Sequence, residues 1–181
     1  MKAVAFLPIS PKWGYQNWAE PLRMKPHMPT SFAQFLRIAK LHTYAAQGDD
    51  ASVTPVLLST KQLEFSIDGY LYRDIYAGMN HFVGQEIVYQ NDQAIWSMSY
   101  SGGMLIEATA SAIAEVYRFL RAALQESPQD LPLRGPASLR SGQLTYVCDI
   151  KGDLNRFAGV EHIDLVGSPA YELHFSGGLL R

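Results

Sequence analysis

Apolar residues recur at helical spacing in two stretches of the chain, one near the start and one after the middle. We predict one helix that begins near Ser31 and ends near Gly48, and a second that ends before Pro128. The apolar positions on the two helix faces are Phe32, Phe35, Leu36 and Ala39 in the first, and Ile113, Val116, Tyr117, Leu120 and Leu124 in the second.

Between and after these helices, apolar and polar residues alternate with a period of two, which is typical of strands that are buried on one side. We predict strands at about 63–67, 70–76, 82–90 and 94–100, and again at about 144–150, 157–165 and 169–175. The segments Ser101-Gly102-Gly103 and Ser176-Gly177-Gly178 are interpreted as hairpin turns, each followed by a short closing strand.

The sequence of the predicted strand region is repeated once within the chain. Leu71–Leu105 aligns with Tyr146–Leu180 without a gap, 75 residues apart. We therefore predict an α+β fold that is internally duplicated, with a helix and an antiparallel meander in each unit, about 31–106 and 109–181. The two units would be related by a pseudo-twofold axis with a seam between them. The aligned pairs include Asp74/Asp149, Ile75/Ile150, Asn80/Asn155, Phe82/Phe157, Gly84/Gly159, Glu86/Glu161, Trp96/Tyr171 and Tyr100/Phe175.

The first thirty residues have no counterpart in the repeat, and they hold five of the ten prolines. Proline at this density opposes a long helix or a central strand. We predict a proline-rich arm over residues 1–30, either disordered or laid over a single domain at 31–181. Met24 and Met28 leave an alternative, in which the native start lies downstream of Met1.

Composition and charge narrow the classes of function. The 181 residues carry a formal net charge of −2 and no cluster of Lys or Arg, which argues against nucleic acid binding by this chain alone. The single cysteine, Cys148, excludes an internal disulfide and favours a reducing compartment, so we expect a cytoplasmic protein. No apolar run is long enough for a membrane span, and no signal peptide is recognisable, so no membrane partner is expected.

Strand parity places one carboxylate on each buried face. Glu86 shares its face with Phe82, Gly84 and Val88, and Glu161 shares its face with Phe157, Gly159 and Ile163. If the turns centre near Asp92 and Gly167, then Gly84 lies opposite Tyr100, Gly159 opposite Phe175, Glu86 opposite Met98 and Glu161 opposite Leu173. A buried carboxylate needs a partner. In a functional interpretation, the two glutamates bind a polar ligand or a cation, or act as acid and base, at the seam. In a structural interpretation, which is favoured, each accepts backbone or tyrosine hydrogen bonds inside its own unit.

Other candidate residues are interpreted as structural. Cys148 alternates with apolar neighbours and is read as a small buried hydrophobe. His162, Glu172 and His174 share an outward face without the ligand set of a zinc site. Asp74 and Asp149 are read as turn or ladder-end residues. We therefore assign no catalytic residue, no metal site and no cofactor.

An ordered set of motifs over about residues 31–181 resembles the bacterial family called domain of unknown function 5680. The motifs are Phe35-Leu36-(x)-Ile38-Ala39-Lys40-(x)3-Tyr44-Ala45, Leu63-Glu64-Phe65, Tyr72-Arg73-Asp74-(x)-Tyr76-(x)-Gly78, Phe82-(x)-Gly84-(x)-Glu86, Trp96-(x)-Met98-(x)-Tyr100, Arg134-Gly135-Pro136 and Gly152-Asp153-(x)3-Phe157-(x)-Gly159-(x)-Glu161. The resemblance implies no particular activity. Some members are similar to one-component regulators, with this domain behind a helix-turn-helix. The chain departs from the family at Leu57-Leu58, where Arg-Pro is usual.

We expect a small-molecule-binding or sensing module without catalysis, with its ligand in the seam between the units. The predicted anchors are Glu86, Glu161 and Arg134, and the predicted aromatic rim consists of Tyr70, Tyr72, Tyr76, Trp96, Tyr100 and Tyr171. Two alternatives stay open. One is a hydrolase or lyase that uses Glu86 and Glu161 as acid and base. The other is a protein-interaction domain that pairs through a sheet edge, as in a homodimer.

Overall fold

The structure, a computed structural model, describes residues 31–46 and 52–181. Within them it contains two helices and one antiparallel sheet of nine strands, so the predicted α+β class is confirmed. The predicted arm at residues 1–30 and Gly48 lie outside the described residues. The elements are α1 (Ser31–His42), β1 (Ser52–Val53), β2 (Lys61–Ile67), β3 (Tyr70–Gly78), β4 (His81–Gln90), β5 (Gln93–Met104), α2 (Ala110–Gln125), β6 (Ser138–Ser141), β7 (Leu144–Asp153), β8 (Arg156–Leu165) and β9 (Ser168–Leu179).

The strands lie in the order β1-β2-β3-β4-β5-β9-β8-β7-β6. Two meanders, β2–β5 and β6–β9, therefore meet where β5 pairs with β9, along Trp96–Met104 and Tyr171–Leu179. The predicted opposite positions Gly84/Tyr100, Gly159/Phe175, Glu86/Met98 and Glu161/Leu173 are confirmed. The short edge strand β6 was not predicted, because Leu139 is its only apolar residue and no alternation marks it.

Both helices cover the same face of the sheet. Helix α1 packs mainly against β2 and β3, where the ring of Phe35 stacks on Tyr70 at 4.8 Å between centroids. Helix α2 packs mainly against β7, and its first turn is capped by Thr109, whose side chain accepts a hydrogen bond from the Ala112 amide. Each fully buried apolar side chain stabilises the fold by about 1.5–3 kcal/mol. No helix among the described residues is long and apolar enough to cross a membrane.

Helix α1 ends earlier than predicted, at His42. The Thr43 hydroxyl donates to the Ala39 carbonyl at 2.8 Å, and the Ala45 amide donates back to the Lys40 carbonyl at 3.2 Å, which forms a turn over 43–46. Ala45 stays in the core although it lies in this turn. The apolar pattern therefore continues beyond the last helical residue, which explains the overestimate.

The prediction that Ser-Gly-Gly forms hairpin turns is wrong. Ser101-Gly102-Gly103 lies inside β5 and Ser176-Gly177-Gly178 lies inside β9, so there are no separate closing strands after them. A Cβ atom at Gly102 would collide with the backbone of Glu172 and Leu173 on β9. The glycine is therefore needed for close approach of two strands rather than for a change of direction.

The ungapped alignment of the two meanders is wrong in β3 and β7. Asp74 is buried opposite Glu86, whereas Asp149 is exposed opposite Val160; the residue opposite Glu161 is Cys148. The cause is a difference in length between the turns that follow these strands. Residues 79–81 connect the pair Gly78/Phe82 at the end of β3 and β4, whereas the longer segment 153–156 connects the pair Gly152/Phe157 in β7 and β8. A shift of one residue turns every side chain of a strand to the other face.

Candidate functional site

A cavity of about 310 Å³ lies between helix α2 and strands β3–β5. It lies between the parts of the sheet against which the helices pack, since α1 packs mainly against β2 and β3 and α2 mainly against β7. Helix α2 contributes Ile113, Tyr117 and Arg121, which lie about one turn apart on one face, and Ala114 beside them. The lining residues are Ile113, Ala114, Tyr117 and Arg121 from α2, Asp74, Tyr76 and Gly78 from β3, Met79 and Asn80 from the following turn, Phe82 and Glu86 from β4, and Tyr44, Lys61, Tyr100 and Arg134.

Asp74 is a buried carboxyl group at the cavity wall. It lies in the interior of β3, directly opposite Glu86 on β4, and the Tyr100 hydroxyl donates to its Oδ1 at 2.6 Å. Burial, followed by the negative charge of Glu86, raises the pKa of Asp74 to about 7, although the Tyr100 hydrogen bond and Lys40 oppose this shift. The interpretation of Asp74 as a turn or ladder-end residue is therefore wrong, and its carboxyl group titrates near neutral pH.

Glu86 is held from the other side of the cavity wall by Lys40. The Lys40 ammonium reaches from α1 and donates to Oε2 of Glu86, and both groups are largely buried. Burial lowers the pKa of Lys40, and the charge of Glu86 opposes that change. A smaller cavity of about 20 Å³ adjoins the pair and shares Tyr44, Glu86 and Arg134 with the larger one. Among the described residues, Lys40 is the cationic group that forms a salt bridge with Glu86, and Glu86 remains at the wall of an open space.

Glu161 has a closed environment instead. Its side chain has no exposed surface, and it accepts two hydrogen bonds from Arg134, at 3.0 Å from Nε and 2.5 Å from Nη2. The hydroxyl groups of Tyr146 and Tyr171 donate to it at 2.7 Å and 3.0 Å. Burial and the Glu161 charge raise the pKa of both tyrosines well above the ordinary value. This is the arrangement that the structural interpretation of the glutamates expects.

The residues predicted to bind a ligand fall into two groups. Glu86, Arg134, Tyr76 and Tyr100 line the 310 Å³ cavity. The others do not: Glu161 lines neither cavity, Tyr72 borders the small one, and Tyr70, Trp96 and Tyr171 are core residues. Trp96 donates from Nε1 to the Leu154 carbonyl at 3.1 Å. The structure thus does not bring Glu86 and Glu161 together in one of these cavities.

The junction of β5 and β9, where the seam was expected, is closed on the helix side by aromatic packing. The rings of Phe82 and Tyr171 lie 6.5 Å apart across it. On the opposite face a shallow depression of about 590 Å³ spans the junction. Its floor holds Ser99, Ser101 and Ser176, and the charged groups at its margin, Asp149 and Lys151, are exposed. Of the buried charged groups in the described part of the chain, Asp74, Glu86 and Arg134 line the cavity beside α2, and none lines the depression at the junction.

Among the charged and phenolic residues around the cavity, sequence reasoning missed Lys40, Tyr44, Lys61, Asp74, Tyr117 and Arg121. For Asp74 the signal was present, because Tyr70, Tyr72, Asp74 and Tyr76 alternate along β3 and share one face. Arg121 follows Tyr117 by four positions, so the two share a helix face. The hydroxyl of Tyr117 donates to the Met79 carbonyl at 3.1 Å, a contact that the local sequence pattern does not predict.

The remaining candidates stay outside this site. Burial and the nearby Glu161 charge raise the pKa of Cys148 to about 11, which keeps the thiol protonated and unreactive. His162 lies opposite Glu172, and the side chains of His174 and Glu172 meet at 2.9 Å on an exposed surface. In the part of the chain that the structure describes, no three His, Cys, Asp or Glu residues are grouped as a metal site would require.

Comparison with known proteins identifies the family. The sequence model of the family described as Domain of unknown function (DUF5680) matches residues 74–180, from the buried Asp74 to the end of β9. No curated protein and no solved structure matches the chain significantly. The matched segment includes both buried glutamates, Tyr100, helix α2 and Arg134, and it covers more than half of the chain. The protein belongs to the DUF5680 family.

Proposed function

We propose that this protein binds a small molecule in the cavity between α2 and strands β3–β5. The observation that carries the proposal is the buried carboxyl group of Asp74 at the cavity wall, paired across the strands with Glu86. Burying two neighbouring carboxyl groups is costly, and perturbed groups of this kind concentrate at functional sites. Their position beside an accessible cavity, rather than in a closed network, separates them from Glu161.

The composition of the wall supports a ligand with an apolar body and a few polar groups. Phe82, Ile113 and the ring of Tyr117 supply apolar and aromatic surface. Asp74, Glu86, Arg121 and the hydroxyl groups supply polar contacts. A volume of about 310 Å³ lies at the lower end of the range for small-molecule sites, which is roughly 300–1,000 Å³. The proposed ligand is accordingly compact, of the size of a substituted ring.

Binding can be tested with three probes that share one body: benzoate, benzyl alcohol and benzylamine. We expect at least one to give saturation-transfer NMR signals and to shift amide resonances of α2 and β3. Ala114 and Ala122 are both exposed alanines on α2, but only Ala114 lines the cavity. Ala114→Trp should abolish the probe signals and Ala122→Trp should preserve them. Absence of binding by all three probes, or equal binding by both variants, would overturn the proposal.

A proton-transfer enzyme, such as a lyase or hydrolase, is the second candidate. It is favoured by one observation: Asp74 titrates near neutral pH beside a glutamate that Lys40 holds in a salt bridge, which resembles the division between acid and base in enzymes with two carboxyl groups. This version uses Asp74 and Glu86 instead of the predicted Glu86 and Glu161. Exchange of the methyl protons of acetophenone in deuterated water, followed by NMR, provides a test. The wild-type protein should accelerate the exchange and the Asp74→Asn variant should not. Equal rates for the two proteins would contradict the enzyme function, and ligand binding would be the remaining candidate.

We also infer that the domain arose by duplication, with a pseudo-twofold axis at the β5–β9 junction. The support for this inference comes from the strand order and the strand pairing. Apart from the two-residue edge strand β1, the strands β2-β3-β4-β5 and β6-β7-β8-β9 follow the same order from each edge to the junction. Tyr100 pairs with Phe175 across the junction, and the registers shift at Val88/Tyr89 and at Ile163/Asp164, 75 residues apart. Superposing the β4–β5 hairpin on β8–β9 should give a rotation near 180°. A crystal structure with unrelated strand orders in the two halves would contradict the duplication.

A further inference from the structure

We propose that the ligand of this cavity is a small organic anion with an apolar body, and that it binds together with one proton, which Asp74 takes up beside Glu86. This inference rests on the proposed function and adds the chemical class of the ligand and the pH dependence of its binding. It follows from a count of the charges that face the cavity, from the position of Arg121, and from the strand register that places Asp74 against Glu86.

The charge count leaves a surplus of cations. Two ion pairs are complete within the protein, Lys40 with Glu86 and Arg134 with Glu161. Of the other charged groups that line the cavity, Lys61 and Arg121 have no ion-pair partner among the described residues. When Asp74 is protonated, the wall therefore carries two uncompensated positive charges. An anion is the ligand that such a wall attracts.

Arg121 is the group best placed to receive the anion. It is partly buried on α2, on the same face as Ile113 and Tyr117, so an apolar body packed against those residues would bring its charged end to the guanidinium. The guanidinium is planar and offers parallel donors that match the two oxygens of a carboxylate. Lys61 is exposed and contributes to attraction of the anion rather than to its geometry.

The protonation state of Asp74 controls the negative charge in the cavity. An ionised Asp74 would repel a bound carboxylate, whereas a protonated Asp74 is neutral and can donate a hydrogen bond. The carboxyl group therefore takes up its proton when the anion enters. The titratable and charged groups around Asp74 are Glu86 on β4, Tyr100 on β5, Lys40 on α1, Arg134 in the loop after α2, Tyr72 and Tyr76 on β3, Lys61 on β2, Tyr117 and Arg121 on α2, and Tyr44.

The first experiment compares benzoate with benzyl alcohol, which have the same ring but differ in charge. Benzoate stays ionised between about pH 6 and about pH 8, so any change in its affinity belongs to the protein. We expect the Kd of benzoate to rise about tenfold over this interval, as coupling to one proton requires, and the Kd of benzyl alcohol to stay constant. Asp74→Asn should remove the pH dependence. Asp149→Asn, an exposed aspartate on the opposite face, should retain it.

The second experiment tests the anion contact. Arg121→Gln should weaken benzoate binding about tenfold at about pH 6 and leave benzyl alcohol unaffected, whereas Arg118→Gln, an exposed arginine on the same helix, should change neither. If benzyl alcohol binds in the cavity but benzoate does not, or if Asp74→Asn keeps the pH dependence, the inference fails while the proposed function stands. If benzylamine alone binds, the inference likewise fails while the proposed function stands. If none of the three probes binds, the proposed function itself fails. Carboxyl-carbon NMR of the free protein should show one aspartate that titrates near neutral pH in wild type and is missing in Asp74→Asn.

Discussion

At the scale of single residues, two glutamates in equivalent hairpin positions have different partners. Glu161 is held by the rigid fork of Arg134 and by two tyrosine hydroxyl groups, so all of its strong acceptor positions are used. Glu86 is held by the flexible ammonium of Lys40 and lies at a cavity wall beside Asp74. The first arrangement is closed by protein groups, whereas the second leaves a carboxylate at the wall of an open cavity.

The closed network predicts a large effect on stability. Glu161→Gln removes the charge opposite Arg134 and should lower the free energy of unfolding by about 3 kcal/mol, because a buried guanidinium then lacks a counter-charge. Urea denaturation followed by circular dichroism measures the change. Glu172→Gln, an exposed glutamate on the adjacent strand, should cost less than about 0.5 kcal/mol. Similar stabilities for the two variants would show that the network does not hold the fold.

Asp74 predicts a pH dependence of stability with a definite sign. Its pKa rises from 3.8 to about 7 on folding, so between these values the folded protein binds a proton that the unfolded chain lacks. The free energy of unfolding therefore falls as pH rises from about 4 to about 7 and levels off above that range. Below about pH 4 both states are protonated, and the group contributes no slope.

Asp74→Asn keeps the shape of the side chain and cannot titrate. Relative to wild type, it should gain at least about 1 kcal/mol in the free energy of unfolding between about pH 4 and about pH 7. Denaturation of both proteins at several pH values isolates the effect, because all other groups titrate in both. A constant difference across this interval would mean that Asp74 is not perturbed by its burial.

At the scale of elements, the pairing of β5 with β9 joins the two meanders into one sheet. The two strands approach closely at Gly102 and Gly177, where a Cβ atom would meet the backbone of the partner strand. Each meander supplies only half of the sheet, and the core cluster draws residues from both. The junction is therefore the element on which cooperative folding depends.

Gly102→Ala should disturb this junction. The added methyl group collides with the backbone of Glu172 and Leu173, and backbone cannot move aside like a flexible side chain, so we expect a loss of about 3 kcal/mol. Ser101→Ala, at the neighbouring exposed position, provides the matched control and should cost less than about 0.5 kcal/mol. Thermal denaturation separates the two. A Gly102→Ala variant as stable as the control would mean that the strands are farther apart than described.

At the scale of the whole molecule, residues 31–46 and 52–181 contain both helices, the complete nine-stranded sheet and a continuous core. We expect deletion of residues 1–27 to leave this domain folded, because these helices, strands and core residues all lie outside the deleted segment. The melting temperature should change by less than about 2 °C, measured by circular dichroism. A drop of more than about 5 °C would show that the deleted segment is packed structure. The predicted homodimer stays a prediction that sedimentation can test.

The sequence by itself determined the class of fold, the face on which each glutamate lies and the register of both hairpins. These features depend on local periodicity and on turn chemistry, which adjacent residues encode. The same local view failed at Gly102 and Gly177, because a glycine in a strand and a glycine in a turn look alike until the partner strand is known. It also failed at Asp74, because the length of the turn after each strand sets which residues face inward.

Only the tertiary structure decided what the buried carboxyl groups contact. Lys40 reaches Glu86 across 46 positions of the chain, and Tyr100 reaches Asp74 across 26. Such contacts depend on which strands each helix packs against, and neither the hydrophobic periodicity nor a sequence motif specifies that packing. The cavity lies between the parts of the sheet against which α1 and α2 pack. Local pattern determines the elements and their faces, while the space between elements is a property of the packed whole.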